Sequence, residues 1–304
     1  KSGAWWNAHK EETKEKDPDI ERDIVESYRG GLCIFNSQYK CKEVLANGYD
    51  VNSLYPSIML TLPMPFGQGK KVQTSESITS LHVVHIVATI KEGRYPFIPN
   101  PANLDKYVYP KEISGIFYLW KDEFDLARLC YEGTFSEICA YEFGQKKGLF
   151  TEYVTKWYNA KKTASNKVDR AYAKMMLNSL YGKFGQRSEL INSVAQVRGN
   201  QVTYVPVRMK ARTYDAKIAS FIASEGRVKL LQAIQMNYDR FIYADTDSVV
   251  LEGSGEPTGL LLDDSKLGYF KHDKINVMFK ALGQKTYITT KDGETSFTIA
   301  GVVK

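Results

Sequence analysis

Cysteine and histidine are scarce, with four of each in 304 residues. Cys33, Cys41, Cys130 and Cys139 are too widely spaced for CxxC pairs. That argues against a zinc knuckle or a disulfide framework and makes a reduced cytosolic setting the default. His82 and His85 lie in the alternating run Leu81–Ile90 and face opposite sides of a strand there, so they do not share a metal. Charge breaks every apolar run well before ~18 residues, so the sequence contains no membrane-spanning helix. No basic-plus-apolar leader opens it, and Lys1 in place of a methionine reads as a processing boundary. Internal repeats and low-complexity segments are also missing.

What is present is ordinary globular composition, 43% hydrophobic and 25% charged. This excludes a disordered tail, a collagen-like rod and a coiled coil. The length suggests about two domains and permits a sizeable core. There are 41 basic and 35 acidic residues, for a net charge of +6. The excess is local. Between Lys156 and Arg187, eight basic residues meet only Asp169, so this segment carries +7 and the rest of the chain −1. A concentrated positive charge suits an anionic partner better than a uniformly basic surface does.

The pattern predicts a mixed-charge helix or arm over 1–27, then strand, turn and helix over 44–60. A strand follows at Leu81–Ile90, and a proline-rich loop region over 91–118. Asp122–Glu132 reads as an amphipathic helix stopped by Gly133. Leu149–Thr163 and Lys167–Phe184 read as two helices, with Ser165-Asn166 as capping material for the second. Hairpins are expected around Arg198-Gly199-Asn200 and over Arg240–Glu252, on either side of a long helix at Asp215–Met236. This irregular interleaving implies an α+β fold with an antiparallel sheet backed by helices.

Tyr243-Ala244-Asp245-Thr246-Asp247-Ser248 puts two carboxylates at a hairpin tip between apolar strands. Such a pair is costly unless it is exposed or holds a cation. Alone it reads slightly better as a polar turn. Asp50, at a strand end just before a helix, shifts the balance, because a carboxylate beside a helix N-terminus suits a divalent ion and a phosphate together. Hard oxygen donors without His or Cys select Mg²⁺ or Mn²⁺. On the second basic helix Lys167, Arg170, Lys174, Asn178 and Tyr181 share one face, with Val168, Ala173, Met176 and Leu177 opposite. Charge runs are usually solvated faces. Here an Asn and a Tyr continue the stripe, and a triphosphate with its base needs fixed cations and a flat ring.

These segments resemble a known family. Asp50-Val51-Asn52-Ser53-Leu54-Tyr55-Pro56-Ser57 is similar to motif A of family B DNA polymerases. Lys174-Met175-Met176-Leu177-Asn178-Ser179-Leu180-Tyr181-Gly182 resembles their motif B, and Tyr243–Ser248 their motif C. Three long patterns in the family's order make a specific match. Tyr28-Arg29-Gly30-Gly31 and Lys285-Thr286-Tyr287 resemble the YxGG and KxY motifs of the protein-primed branch found in phages and linear plasmids.

The resemblance implies a palm with a helical-hairpin fingers subdomain, adding dNTPs to a primer 3′-hydroxyl. Asp50, Asp245 and Asp247 would be the catalytic carboxylates. Asp50, Asp247 and the Val51 carbonyl would hold two Mg²⁺ ions, for which Mn²⁺ can substitute. Val51, Ser53, Leu54, Tyr55, Lys162, Lys174, Asn178 and Tyr181 would bind the nucleotide, with Tyr55 as the gate against a ribose 2′-hydroxyl. Tyr28, Arg29, Gly30, Gly182, Thr246, Lys285 and Tyr287 would contact primer–template DNA. The implied division is 1–27 arm, 28–95 first palm part, 96–148 insertion, 149–186 fingers, 187–212 second insertion and 213–304 second palm part. A terminal-protein primer, a monomer and the host cytoplasm come with that branch, and a membrane does not. Little room is left for an exonuclease before Tyr28 or a thumb after Lys285. Hence a catalytically weak or inactive DNA-binding fragment is the alternative. An RNA polymerase or reverse transcriptase would share the paired aspartates but not the helix between them.

Overall fold

In the computed structural model, the described residues are 17–99, 108–186, 189–198, 201–210 and 215–300. Most of the expected 1–27 arm and the turn Gly199-Asn200 lie outside them. The last ten residues of the arm form helix α1 (Pro18–Ser27). The Asp17 carboxylate caps it by accepting from the amides of Asp19 and Ile20.

Two antiparallel sheets organise the core. The first has seven strands in the order β1 (Cys33–Phe35), β9 (Phe241–Asp245), β10 (Ser248–Glu252), β2 (Glu43–Val51), β11 (Phe270–Gly283), β12 (Thr286–Lys291) and β13 (Glu294–Ile299). The second has four, ordered β3 (Met64–Val72), β6 (Tyr131–Lys146), β4 (Ser80–Ile90) and β5 (Glu112–Trp120). A hairpin of β7 (Glu189–Arg198) and β8 (Gln201–Lys210) stands as a two-stranded ribbon. β3 and β4 precede residue 96 and β5 and β6 follow it, so a boundary at 96 runs within one sheet. Antiparallel pairing throughout agrees with the α+β reading.

The remaining helices are α2 (Leu54–Thr61), α3 (Lys121–Cys130), α4 (Thr151–Thr163), α5 (Lys167–Phe184) and α6 (Ala216–Met236). α6 is apolar nearly all round and buried along most of its length, which suits a central helix. It packs against α1, α2, α3 and α5 and also touches both large sheets. Asp215 caps it, and Asn166 caps α5 by accepting from the Asp169 amide at 2.9 Å. The α4 and α5 pair is the expected basic helical hairpin. Among the described residues no helix is long and apolar enough to cross a membrane.

Three expectations needed correction. Gly133 does not stop α3, which ends at Cys130. It lies inside β6 opposite Ala88, at φ +146, where a Cβ would collide with the β4 backbone. The loop region 91–118 ends early, because β5 begins at Glu112 and pairs with β4 from Leu81 to Thr89. Val168 is 77% exposed rather than turned inward, since the buried face of α5 is Ala173, Met176, Leu177, Leu180 and Phe184. His82 and His85 do face opposite ways, one buried and one exposed.

Candidate active site

The site is assembled where three strands of the seven-stranded sheet end together. Asp50 is the next-to-last residue of β2, and its register partners are Ser248 on β10 and Lys271 on β11. The hairpin joining β9 to β10 turns through Thr246 and Asp247. It is tight: the Asp247 amide donates to the Asp245 carbonyl at 2.6 Å, and Thr246 takes the left-handed conformation at φ 53. The Thr246 amide donates to the Leu32 carbonyl at 2.7 Å, which pins the Tyr28–Gly31 segment to the hairpin tip. The Val51 amide donates to the Asp247 carbonyl at 2.7 Å. Asp50 and Asp247 are therefore brought side by side from distant parts of the chain.

Their charges conflict. Burial, then the nearby Asp50 and Asp245 charges, push the Asp247 carboxyl up to about 6. Asp245 is in a different position. Lys285 Nζ lies 2.7 Å from both of its oxygens, and the Thr246 hydroxyl donates to it at 2.9 Å. One carboxylate of the hairpin is thus ion-paired, and the other faces a second carboxylate. A divalent cation would relieve that conflict, and hard oxygen donors suit Mg²⁺ or Mn²⁺. Among the described residues no group of three or more His, Cys, Asp or Glu could hold a metal ion. Any further donors would have to be backbone carbonyl, water or phosphate oxygens.

Opposite the carboxylates stands the basic hairpin. Lys161 Nζ donates to Ser53 Oγ at 3.3 Å, and Lys271 Nζ lies 3.3 Å from Asp50 Oδ2. Burial, then Lys174, Arg170 and Lys271, lower the Lys161 ammonium, while Asp50 raises it. Lys161, rather than Lys162, is the lysine of α4 that reaches the site. Lys162 is exposed on the adjoining face. Neighbouring residues on a helix point about 100° apart, and the sequence contained no signal for which of the two faces inward. Lys271 was missed as well, because nothing in the sequence near Phe270 marks it as opposite Asp50.

Ser53 caps α2 at φ 53 without a side-chain cap bond, so the first turn of α2 opens toward this space. The Leu54 side chain is core, and Tyr55 packs on Tyr181 with ring centroids 4.1 Å apart. Burial pushes Tyr55 up to about 12 and holds Tyr181 further above the ordinary phenol range. Glycine permits this packing. A Cβ on Gly226 would sit 2.9 Å from Tyr55 Cε1, and one on Gly31 would sit 3.0 Å from its hydroxyl. Lys174, Asn178 and Gly182 line the open face of α5.

Other expected contacts have structural partners here. Arg29 donates to Glu123 Oε1 at 2.7 Å in a buried network with Arg227, which also donates to the carbonyls of Arg29 and Gly30. The Arg29 side chain thus holds its own loop, leaving Tyr28 and the exposed Gly30 at the surface. Tyr287 is half-buried and stacked on Phe279 at 5.0 Å.

A family model described as DNA polymerase type B, organellar and viral, matches residues 7–259. The DNA polymerase of Bacillus phage Nf is 32% identical over 288 residues, which covers 88% of this chain and 50% of that protein. The DNA polymerase of Bacillus phage phi29 is also 32% identical, over 295 residues, 88% of this chain and 49% of that protein. The DNA polymerase of Streptococcus phage Cp-1 is 31% identical over 279 residues, 83% of this chain and 48% of that protein. The solved phi29 DNA polymerase complexed with primer-template DNA and incoming nucleotide superposes with a TM-score of 0.88 at 26% identity. That match covers 100% of this chain and 60% of the other. The chain spans about half the length of these curated relatives. With motifs A, B and C converging on one acidic cleft, the chain belongs to the type B DNA polymerases of the organellar and viral branch.

Proposed function

We propose that this chain is the palm-and-fingers core of a template-directed DNA polymerase, transferring a nucleotide from a dNTP to a primer 3′-hydroxyl with release of pyrophosphate. The observation that carries the reading is the Asp50–Asp247 pair, held side by side and facing Lys161, Lys174 and Lys271. Asp50, Asp247 and the Val51 carbonyl would hold two Mg²⁺ ions, or Mn²⁺ in their place, which would neutralise charge on the attacking and leaving oxygens.

The chain's own groups do the rest. Lys161 and Lys174 balance the triphosphate charge, with Lys162 at the rim. The amides of Ser53 and Leu54, at the open first turn of α2, donate to phosphate oxygens. Tyr55, locked between Tyr181 and Gly226, blocks the position of a ribose 2′-hydroxyl. Tyr181 and Asn178 border the nascent base pair. Lys285 holds Asp245 on the primer side, with Thr246 and Tyr287 behind it. Tyr28 and Gly30 meet the template strand, positioned by Arg29 and Arg227, and Gly182 leaves the DNA side of α5 bare. The domain division and the terminal-protein primer belong to the same proposal. So do the monomeric state and the host cytoplasm.

The test is extension of a primed template at high enzyme concentration with Mg²⁺ or Mn²⁺. Extension by the wild type, abolished by Asp247→Ala, is expected. dNTPs should be preferred, and Tyr55→Ala should admit NTPs. Dominant use of NTPs by the wild type overturns the DNA-polymerase reading. DNA binding without extension leaves the alternative, a non-catalytic fragment.

A further inference from the structure

The C-terminal half of α4 carries Lys161 to the cleft with little packing of its own. α4 buries Tyr153 and Val154, and no residue from Thr155 to Thr163 is buried. Apolar packing, which fixes most helices in place, therefore ends about two turns before Lys161. Contacts of other kinds hold this half. Trp157 meets Tyr172 edge-on with ring centroids 5.7 Å apart, and the Tyr158 hydroxyl donates to the Ser265 carbonyl. Tyr158 and Lys161 are three residues apart and share one helix face.

Ser265 belongs to the loop Asp263–Tyr269 between β10 and β11, and this loop is firmly held. The Asp263 carboxylate accepts from the amides of Ser265 and Lys266, both at 2.8 Å, and from the Ser265 hydroxyl at 3.0 Å. The Asp263 carbonyl accepts from Asn52 Nδ2 at 2.8 Å. The Asn52 backbone fastens the other end: its amide donates to the Tyr269 carbonyl at 2.9 Å, and its carbonyl accepts from the Gly268 amide at 2.8 Å. Lys229 Nζ donates to the Gly268 carbonyl at 2.5 Å. Gly268 lies at φ +79, where a Cβ would sit 2.8 Å from Ser57 Cβ, so the loop also rests directly on α2. The loop is thus tied to Asn52, two residues after Asp50, and to the helix that Ser53 caps. The Ser265 carbonyl is a fixed point of the palm, and Tyr158 grips it from the fingers.

We propose that Tyr158 is a positioning residue for the incoming triphosphate: its bond to Ser265 clamps the C-terminal half of α4 to the palm and so holds Lys161 over Ser53. The contacts form a closed ring. It runs from Ser53 through Asn52, the loop and Tyr158 to Lys161, whose Nζ donates back to Ser53 Oγ at 3.3 Å. Breaking the Tyr158 link leaves the lysine on an unpacked turn, and the cost of ordering it then falls on nucleotide binding. The inference rests on the nucleotide-transfer reading, which supplies the anion.

The experiment measures the affinity of dATP with Mg²⁺ for the chain on primer–template DNA with a dideoxy terminus, where no transfer can occur. Tyr158→Phe should raise the Kd about 3- to 10-fold, the loss of one hydrogen bond. Asp263→Ala, which loosens the loop, should raise it by a similar factor and add nothing to Tyr158→Phe. In a Lys161→Ala background, Tyr158→Phe should change the Kd by less than about twofold, because independent residues add and coupled ones do not. On an extendable primer Tyr158→Phe should raise KM and leave kcat within about twofold of the wild type, with thermal unfolding confirming a folded chain. A Kd unchanged by Tyr158→Phe overturns the proposal, as does an effect that persists in full beside Lys161→Ala, or a wild type that does not bind dATP. The first two results with wild-type extension intact leave the polymerase reading standing. Lack of extension with the coupling between Tyr158 and Lys161 intact overturns the catalytic reading instead.

Discussion

The hairpin joining β9 to β10 and the hairpin of α4 and α5 face each other across the cleft, and each crowds charges of one sign. At the first, Asp50 and Asp247 face each other and Asp247 holds its proton up to about 6. At the second, Lys161 loses proton affinity through burial and then through Lys174, Arg170 and Lys271. They differ in how much is already compensated. Asp245 has Lys285, and Asp50 has a longer contact to Lys271, while Asp247 forms no ion pair among the described residues. Two surfaces destabilised in opposite senses are complementary to what fits between them: cations against the carboxylates, an anion against the lysines. Such opposed perturbations mark a functional site more strongly than either does alone.

The largest expected effect separates the two aspartates of the hairpin. Asp247→Asn and Asp50→Asn should each lower single-turnover primer extension by about 10³-fold or more. Asp245→Asn should cost less, because Asp245 is tied to Lys285. Equal losses at all three positions would break the distinction.

Next comes stability, measured by denaturant unfolding in chelator. A carboxyl raised from 3.8 to about 6 favours the protonated folded state, so the fold is penalised progressively as pH rises through that interval. The full penalty is at most about 3 kcal/mol. Asp247→Asn should therefore stabilise the chain at pH 7.5 and change little at pH 4. Adding Mg²⁺ should narrow the gap by stabilising only the wild type. A substitution that destabilises at pH 7.5 would contradict the charge conflict.

On the basic side, Lys161→Ala should raise the dNTP KM by about 10- to 100-fold, the loss of a charge-assisted contact worth ~1.5–3 kcal/mol. The smallest effect belongs to its neighbour. Lys162→Ala should change KM by no more than about twofold, as expected of an exposed lysine beside a charged ligand. Steady-state kinetics on the pair decides which lysine serves the site, and the reverse order would overturn the assignment to Lys161.

Much of the site was legible because it is written in contiguous segments. Asp50–Ser57, Lys174–Gly182 and Tyr243–Ser248 each combine a carboxylate or lysine with turn or capping residues, and helix and strand periods placed them on the right elements. The capped helices at Asn166 and Asp215 were legible for the same reason, since a cap is a local interaction. Errors came where a non-local contact overrode the local signal. Gly133 looks like a helix stop, yet it is needed for the close approach of β6 to β4. Arg29 reads as a DNA contact, and the fold gives it a partner no local pattern shows, Glu123, which lies 94 residues away. Lys285 reads as a primer-side contact, and the fold adds an ion pair with Asp245 that the local sequence does not announce.

Local pattern was enough for the family, the α+β class and the identity of the three motifs, because these depend on residue types at fixed short spacing. Packing made the finer choices. The seating of α4 on α2 brought Lys161 rather than Lys162 to Ser53. The register of β2 between β10 and β11 set Asp50 against Asp247 and Lys271. The burial of α6 against α3 closed the Glu123–Arg227 pair. Side chains far apart in sequence acquire a definite separation only when the sheets and helices close on one core, and electrostatic interactions depend on that separation.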